Sequence, residues 1–245
     1  MQIFVDSANL EEIRKWLAVG VVDGVTTNPS IMLKDGISDI EEGARKLSQL
    51  LGNLPLSVEV TTNQTEEMVR QAHVFAMWAP NIVVKIPVVN ENGESCLGVV
   101  HSLTRSGIAV NSTAILSFNQ AILAAKAGAT YVSIFAGRIA DEGNDPAITI
   151  RSVRTWLDQW KSPAQIIAGS IRSALDVQNA ALAGAPLPVM GDATLDTVTL
   201  ATNVEVANGA DVHVRNGLRL RDSAVVTLAS AGFYTVLDLD RKSVV

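Results

Sequence analysis

Short apolar runs alternate with amphipathic stretches along most of the chain. The runs are rich in valine and isoleucine and are mostly apolar on both faces, as is typical of strands buried in a parallel sheet. The stretches between them have about 10 to 20 residues, a length that suits crossover helices. The pattern predicts seven strands, at Ile3–Val5, Val21–Val25, Leu56–Val60, Ile82–Val88, Ile108–Val110, Tyr131–Phe135 and Ile166–Ala168.

An eighth strand is predicted near Leu187–Met190, where Pro186 and Pro188 weaken the pattern. Seven or eight strand–helix units in 245 residues predict an α/β fold of the (β/α)8 TIM-barrel class. The alternative is a doubly wound open sheet, which commonly carries a glycine-rich phosphate loop after its first strand. Here the sequence Asp6-Ser7-Ala8-Asn9 follows the first strand, which favours the barrel.

The chain shows no linker, low-complexity segment or shift of composition before residue 205. We therefore expect one barrel domain over residues 1–245, with an atypical C-terminal segment at about 205–245. Within that segment the pattern predicts a short strand and an amphipathic helix over Ser223–Ala231.

Composition excludes several classes of protein. Apolar residues make up 48% of the chain and charged residues 18%, which excludes intrinsic disorder. A net charge of −6 disfavours nucleic-acid partners. The single cysteine, Cys96, and the lack of a signal peptide or a long apolar run predict a cytoplasmic protein without a membrane partner. A mean hydropathy of +0.26 fits either fully buried strands or an interface within a homo-oligomer.

Polar residues fall at the ends of the predicted strands. The chemistry of a parallel barrel lies at the carboxyl ends of its strands, so these residues are expected to share one site. They are Asp6, Asn28, Ser30, Glu59, Lys85, Asn111, Thr113, Ser133, Arg138, Ser170 and Arg172, and the apolar Phe135 lies with Ser133 at the end of the sixth strand.

Lys85 is the most informative of these residues, because it interrupts an otherwise apolar strand. Burial of an ammonium group is costly and favours the neutral amine, which can attack a carbonyl to form a Schiff base. The alternative is a structural lysine paired with Asp6 or Glu59. The carboxylates and hydroxyls nearby favour chemistry, since Schiff-base formation also requires proton carriers.

Arg138, Ser170 and Arg172 follow the sixth and seventh strands, where barrels commonly bind phosphate. Guanidinium groups match the geometry of phosphate, although surface arginines in salt bridges would give the same pattern. The three histidines, His73, His101 and His213, lie away from the predicted strand ends. We therefore expect a reaction that needs no metal.

These residues form a recognisable set of motifs. Asp6, the run Thr26-Thr27-Asn28-Pro29-Ser30 and the strand Val84-Lys85-Ile86-Pro87 are joined by Gly137-Arg138-Ile139 and Ser170-Ile171-Arg172. With the helix over 119–129, they resemble the short form of the transaldolase family, which includes fructose-6-phosphate aldolases. The resemblance covers about residues 1–185.

The resemblance implies a (β/α)8 barrel without a cofactor that transfers a dihydroxyacetone unit from a ketose phosphate to an aldose phosphate. It implies Lys85 as the Schiff-base residue, Asp6 as the base for the substrate hydroxyl, and Glu59 with Thr113 as the relay for the catalytic water. The implied substrate contacts are Asn28 and Asn111 for the donor hydroxyls, Ser133 for the dihydroxyacetone part, and Arg138, Ser170 and Arg172 for phosphate. Ser30 and Phe135 are further expected substrate-binding residues.

The residues at two positions distinguish transfer of the dihydroxyacetone unit from simple aldol cleavage. Transaldolases resemble this chain in having Glu at position 59 and Phe at position 135, where the aldolase group has Gln and Tyr. The chain departs from the family at Ile134, where proline is usual, and from Met190-Gly191-Asp192-Ala193 onward. Short-form relatives tend to form rings, which again implies a homo-oligomer. The alternatives are fructose-6-phosphate aldolase-type cleavage, a sugar-phosphate isomerase without a covalent lysine, and a non-catalytic sugar-phosphate-binding protein.

Overall fold

A computed structural model describes residues 2–185, 187–188, 195–200, 204–206, 211–220, 226–228 and 236–239. Their contacts separate two compact units, Met1–Gly191 and Asp192–Val245. From the sequence we expected a single domain, with an atypical segment beginning at about residue 205.

The first unit alternates strands and helices around one parallel sheet of eight strands, in the order β7-β6-β5-β4-β3-β2-β1-β8. β8 pairs with β1 and also lies against β7, so the sheet curls round as in a (β/α)8 barrel. The predicted fold class is confirmed. The strands are β1 (Ile3–Asp6), β2 (Gly24–Thr26), β3 (Leu56–Glu59), β4 (Ile82–Pro87), β5 (Val110–Ile115), β6 (Tyr131–Phe135), β7 (Gln165–Gly169) and β8 (Leu187–Pro188).

Nine helices accompany these strands in the described part of the first unit, and most begin at a side-chain cap. Asn9, Asn28, Asp39, Ser117 and Ser173 each accept a hydrogen bond from a backbone N–H of the following first turn. None of the described helices is long and apolar enough to cross a membrane. The helices are α1 (Leu10–Val19), α2 (Pro29–Lys34), α3 (Ile40–Leu51), α4 (Thr65–Ala76), α5 (Leu97–Arg105), α6 (Phe118–Lys126), α7 (Ala136–Asp141), α8 (Pro146–Gln159) and α9 (Ala174–Leu182).

Two of the first seven strands differ from their predicted bounds by more than one residue at an end. β2 begins at Gly24 and not at Val21, because the N–H of Ile3 donates to the carboxylate of Asp23 instead of a strand carbonyl. β5 runs over Val110–Ile115 and not over Ile108–Val110. Its polar side chains were predicted to follow the strand, but they are buried inside it.

The interior of the barrel is apolar toward the amino ends of its strands. Phe4, Val83, Tyr131 and Ile167 form a cluster separate from the larger core between strands and helices. The rings of Phe4 and Tyr131 meet edge to face, with centroids 5.6 Å apart. Gly24 makes room for Phe4, since a Cβ atom there would lie 2.4 Å from Cε1 of the phenyl ring.

The second unit contains β9 (Leu195–Leu200), β10 (Val204–Val206), β11 (Asp211–Leu220), β12 (Val226–Leu228) and β13 (Val236–Leu239). β9, β11 and β13 pair in parallel in one sheet, and β10 and β12 pair in parallel in another. Successive passes of the chain thus add strands alternately to two sheets, as in a solenoid. The helix predicted over Ser223–Ala231 is wrong, because Val226–Leu228 pair with β10 as a strand.

Gly24→Ala should destabilise the first unit, because the added methyl group would overlap the buried ring of Phe4. Overpacking of this kind costs about 1–3 kcal/mol in the free energy of unfolding. Urea denaturation measures the loss. Gly98→Ala on α5 adds the same methyl group where no atom lies within 4 Å, so its unfolding midpoint should not fall. Equal midpoints for both variants would contradict the packing argument.

Candidate active site

Above the apolar layer, three polar side chains bond across the inside of the barrel. The amide nitrogen of Asn111 donates to the hydroxyl of Ser57 at 3.1 Å. The hydroxyl of Ser133 donates to the amide oxygen of Asn111 at 2.7 Å. All three residues are buried, so these bonds satisfy polar groups that water does not reach. They hold the amide of Asn111 in one orientation and bring together two residues predicted to bind the donor.

Lys85 lies on β4 with its ammonium group enclosed, and the residue is only 7% exposed. Its Nζ is 3.1 Å from Oε2 of Glu59 and donates to the backbone carbonyl of Thr27 at 3.0 Å. Glu59 and Lys85 are direct partners in the register of β3 with β4. Of the two carboxylates considered from the sequence, Glu59 is therefore the one that pairs with Lys85.

Asp6 ends β1 and is half-buried. The hydroxyl of Thr26, its register partner on β2, donates to Oδ1 of Asp6 at 2.7 Å. This bond fixes the orientation of the carboxylate. Oδ2, the other carboxylate oxygen, has no hydrogen-bond donor among the described residues.

Thr113 lies on β5 where the pairing with β6 is irregular. The register shifts between Ser112 and Ile115, and Ala114 has a left-handed backbone with φ of 58°. Such irregularities redirect side chains and are frequent beside active sites. The hydroxyl of Thr113 is buried and has no hydrogen-bond partner among the described residues. It is therefore a group that a water molecule or a ligand would satisfy.

Asn28, Ser30 and Phe135 lie at the carboxyl ends of their strands. The side-chain oxygen of Asn28 accepts the N–H of Ile31 at 2.9 Å and caps α2, which leaves the amide NH2 group as a donor. Ser30 is exposed on the first turn of α2. Phe135 is half-buried at the end of β6, and its ring lies over Gly169 of β7.

Arg138 on α7 and Arg172 after β7 both approach Asp141. The two terminal nitrogens of Arg172 bind the two carboxylate oxygens of Asp141, and the Nη2–Oδ2 distance is 2.6 Å. Nη1 of Arg138 lies 3.8 Å from Oδ2 of the same carboxylate. The hydrogen bond from Arg172 lowers the pKa of Asp141, and the same bond raises the pKa of Arg172. The arginines predicted to bind phosphate are thus held by one acidic side chain.

The backbone around these arginines is unusually close-packed. The N–H of Gly137 donates to the carbonyl of Ser170 at 3.1 Å. A Cβ atom on Gly137 would lie 2.2 Å from that carbonyl oxygen. Ser170 itself has a left-handed backbone with φ of 59°, which is uncommon for a residue other than glycine. The absence of a side chain at Gly137 lets the loop after β7 lie against α7.

His73, His101 and Cys96 lie away from the strand ends. His73 is on α4 and His101 is on α5, as predicted. Cys96 is buried directly before α5, and burial raises the pKa of its thiol. Within the described ranges, no three His, Cys, Asp or Glu side chains group closely enough to hold a metal ion.

The structure adds Thr26, Thr27, Gly137 and Asp141 to the residues found from the sequence. Thr26 and Thr27 belong to the run Thr26-Thr27-Asn28-Pro29-Ser30. Two adjacent hydroxyl residues at the end of a strand are a signal that could have identified them. Asp141 is one acidic residue on a helix and carries no distinctive pattern. Its partner Arg172 is distant along the chain, so only the folded structure brings them together.

The chain is similar to known proteins over most of its length. A family model described as transaldolase/fructose-6-phosphate aldolase matches residues 3–226. A probable transaldolase of Dehalococcoides mccartyi is 43% identical over 185 residues, which cover 76% of this chain and 84% of that protein. The probable transaldolase 2 of Listeria monocytogenes is also 43% identical over 185 residues, with coverage of 76% and 82%.

A solved structure gives an independent comparison of the fold. The N-acetylmannosamine-6-phosphate 2-epimerase from Clostridium perfringens superposes with a TM-score of 0.51 at 12% sequence identity. The match covers 78% of this chain and 86% of the epimerase. At this identity the likeness concerns the fold alone.

Gly137→Ala should disturb the loop after β7, because its methyl group would meet a backbone oxygen that no side-chain rotation can move. We expect a loss of about 1–3 kcal/mol in the free energy of unfolding, the usual range for a forced backbone shift. Denaturation in urea, with wild type as the reference, measures it. An unchanged midpoint would show that the loop accommodates the methyl group without cost.

Proposed function

The chain belongs to the transaldolase/fructose-6-phosphate aldolase family, and we propose that it transfers a dihydroxyacetone unit from a ketose phosphate to an aldose phosphate through a Schiff base on Lys85. The observation that carries the proposal is the enclosed amine of Lys85, which contacts a carboxylate on the neighbouring strand. A buried amine beside a proton acceptor is the arrangement that a nucleophilic lysine requires.

The first step is attack of Nζ of Lys85 on the carbonyl carbon of the ketose. Glu59, at 3.1 Å, takes a proton from the ammonium group and releases the lone pair of the nitrogen. A C–N bond forms as the C=O π bond breaks, and the oxygen becomes a hydroxyl group by taking the proton that the attacking nitrogen loses. The product of this step is a carbinolamine.

The carbinolamine then loses its hydroxyl group as water. This step requires a proton donor for the departing oxygen and a place for the water that forms. Glu59, protonated in the first step, supplies the proton. Thr113 supplies a buried hydroxyl group with no protein partner in the described residues, which suits a bound water. An iminium bond between Lys85 and the donor results.

Carbon–carbon cleavage follows, with Asp6 as the base. Its free carboxylate oxygen removes the proton of the substrate hydroxyl while Thr26 holds the other oxygen. The bond between C3 and C4 of the ketose breaks, its electron pair moves into the iminium group to form an enamine, and the aldose phosphate leaves. An acceptor aldose phosphate reverses the same steps, and hydrolysis of the Schiff base frees the product.

Donor recognition rests on the buried polar layer and on the arginines. The pair of Asn111 and Ser133 offers fixed hydrogen-bonding groups next to Lys85, since Asn111 is the register partner of Lys85 on β5. Asn28 contributes its free amide donors at the edge of the site. Arg138, Ser170 and Arg172 recognise the phosphate, because guanidinium groups pair with phosphate oxygens through charge-assisted hydrogen bonds.

Two other functions fit parts of the same site. Simple aldol cleavage uses the same enamine but releases free dihydroxyacetone after protonation, and Phe135 favours transfer because it offers no proton. An isomerase or a binding protein would use Lys85 only as the structural partner of Glu59. The contact between Lys85 and Glu59 fits both a structural and a chemical role, so covalent trapping separates them.

A homo-oligomer is part of the proposal. The first unit exposes several large apolar side chains on its helices, including Leu33 on α2, Leu123 on α6 and Leu175 and Leu182 on α9. Exposed apolar groups of this kind are common in subunit interfaces. Sedimentation equilibrium gives the number of subunits directly.

Borohydride reduction in the presence of fructose 6-phosphate should leave one reduced dihydroxyacetone unit on Lys85, found by intact mass and peptide mapping. Lys85→Met should abolish both the adduct and the activity, because it removes the nucleophile and the buried charge together. Lys126→Met, which changes an exposed lysine on α6, should retain both. An adduct on another lysine, or activity in Lys85→Met, would exclude the Schiff-base assignment.

Phe135→Tyr should raise the rate at which free dihydroxyacetone is released relative to transfer to an aldose phosphate. The phenol would place a proton donor where Phe135 now presents only carbon at the end of β6. Coupled assays of the two products give the ratio. A ratio equal to that of wild type, in a folded and active variant, would mean that residue 135 does not control the fate of the enamine.

A further inference from the structure

The fork of Arg172 that could bind a phosphate is already occupied. Both terminal nitrogens bind the carboxylate of Asp141. The remaining donor, Nε, lies over Gly137, where a Cβ atom would be only 2.8 Å away. A guanidinium group can bind an anion through two nitrogens of one edge. In Arg172, the edge formed by the two terminal nitrogens already binds Asp141.

We propose that Asp141 is an internal competitor of the substrate phosphate: it holds Arg172 in the free enzyme and is displaced from it when phosphate binds. The proposal rests on the assignment of Arg138 and Arg172 to phosphate made above. Asp141 is thus a positioning residue that acts through the arginines and sets the affinity for phosphorylated substrates.

The surroundings make Arg172 ready for exchange. Its backbone N–H donates to Oδ2 of Asp176 at 3.0 Å, so the main chain is fixed at the start of α9 while the side chain is held by Asp141. Asp141 also lies 3.8 Å from Arg138, so one carboxylate keeps two guanidinium groups near each other. When a phosphate replaces that carboxylate, both arginines are already in place.

The strength of the pair permits the exchange. The side chains of Arg172 and Asp141 are 48% and 41% exposed, and ion pairs at such exposed positions are weak. A phosphate dianion carries more charge than a carboxylate and offers more acceptor oxygens. It therefore displaces Asp141, although the carboxylate weakens its binding.

Charge gives the sign of the effect. Asp141 and Asp176 both act on Arg172, and Asp141 also acts on Arg138, so two acidic groups offset two basic ones. Removing the charge of Asp141 leaves the two arginines with a net positive charge. It also leaves the terminal nitrogens of Arg172 free to bind an anion. Phosphate binding should then become tighter. If Asp141 instead supported Arg172 in the phosphate-bound state, its removal would make binding weaker.

Inorganic phosphate is the probe, and its dissociation constant is measured by titration calorimetry on the full chain. Asp141→Asn should bind phosphate about three- to tenfold more tightly than wild type, as expected for removal of one exposed competing charge. Glu142→Gln removes a neighbouring exposed carboxylate that does not contact the arginines, and should change the constant little. Asp141→Ala serves as a second variant with the same expected direction.

Kinetics supply a second readout. In Asp141→Asn the KM for fructose 6-phosphate should fall by a similar factor, while the KM for unphosphorylated dihydroxyacetone as donor should stay at the wild-type value. A general structural defect would not lower one KM and spare the other. Unchanged or weaker phosphate binding in Asp141→Asn and Asp141→Ala would overturn the proposal.

Arg172→Ala separates this proposal from the one on which it rests. If Arg172→Ala leaves phosphate binding unchanged, the phosphate site itself is misassigned. If Arg172→Ala weakens binding but the Asp141 variants do not strengthen it, only the competitor role fails. In an Arg172→Ala background, Asp141→Asn should have a smaller effect than in wild type, because only the more distant Arg138 remains.

Discussion

A lysine enclosed in the wall of a parallel barrel needs oxygen acceptors within reach, and this need links the fold to the site. Glu59 and the carbonyl of Thr27 meet it for Lys85. Glu59 lies on the neighbouring strand β3 in register with Lys85, and Thr27 directly follows β2, one strand farther along the sheet. A shift of β3 by one residue would turn Glu59 toward the helices. The register of β3 with β4 therefore decides whether the amine of Lys85 has a charged partner. Loss of that register would leave a buried charge unpaired.

The inside of the barrel changes from apolar to polar along its axis. Phe4 and Tyr131 help to fill the end nearest the amino termini of the strands, and Gly24 gives the space that Phe4 needs. The next layer is the bonded set of Ser57, Asn111 and Ser133, in which each polar group has a partner. Beyond these packed and bonded layers, β5 carries a left-handed residue at Ala114 and a buried hydroxyl group without a described partner at Thr113.

The fold and the centre of the site could be predicted because their signals are local. Apolar runs mark buried strands, and Lys85 stands out because charge is rare in such runs. The polar part of β5 was missed since buried polar residues resemble a loop until their partners are known. The parallel ladders of the second unit were missed because distant segments form them. Asp141 was missed for a related reason, since its contact with Arg172 joins residues far apart in sequence.

Two ion pairs in this molecule differ in burial, and that difference suits them to different tasks. Lys85 and Glu59 interact inside the barrel, where the amine is enclosed and would be left without a charged partner if the pair were separated. Arg172 and Asp141 interact at the surface, where water screens the charges and exchange for another anion is easy. In the proposed reaction, the buried pair handles protons at the covalent step. The exposed pair handles a charged group that must bind and leave in every cycle.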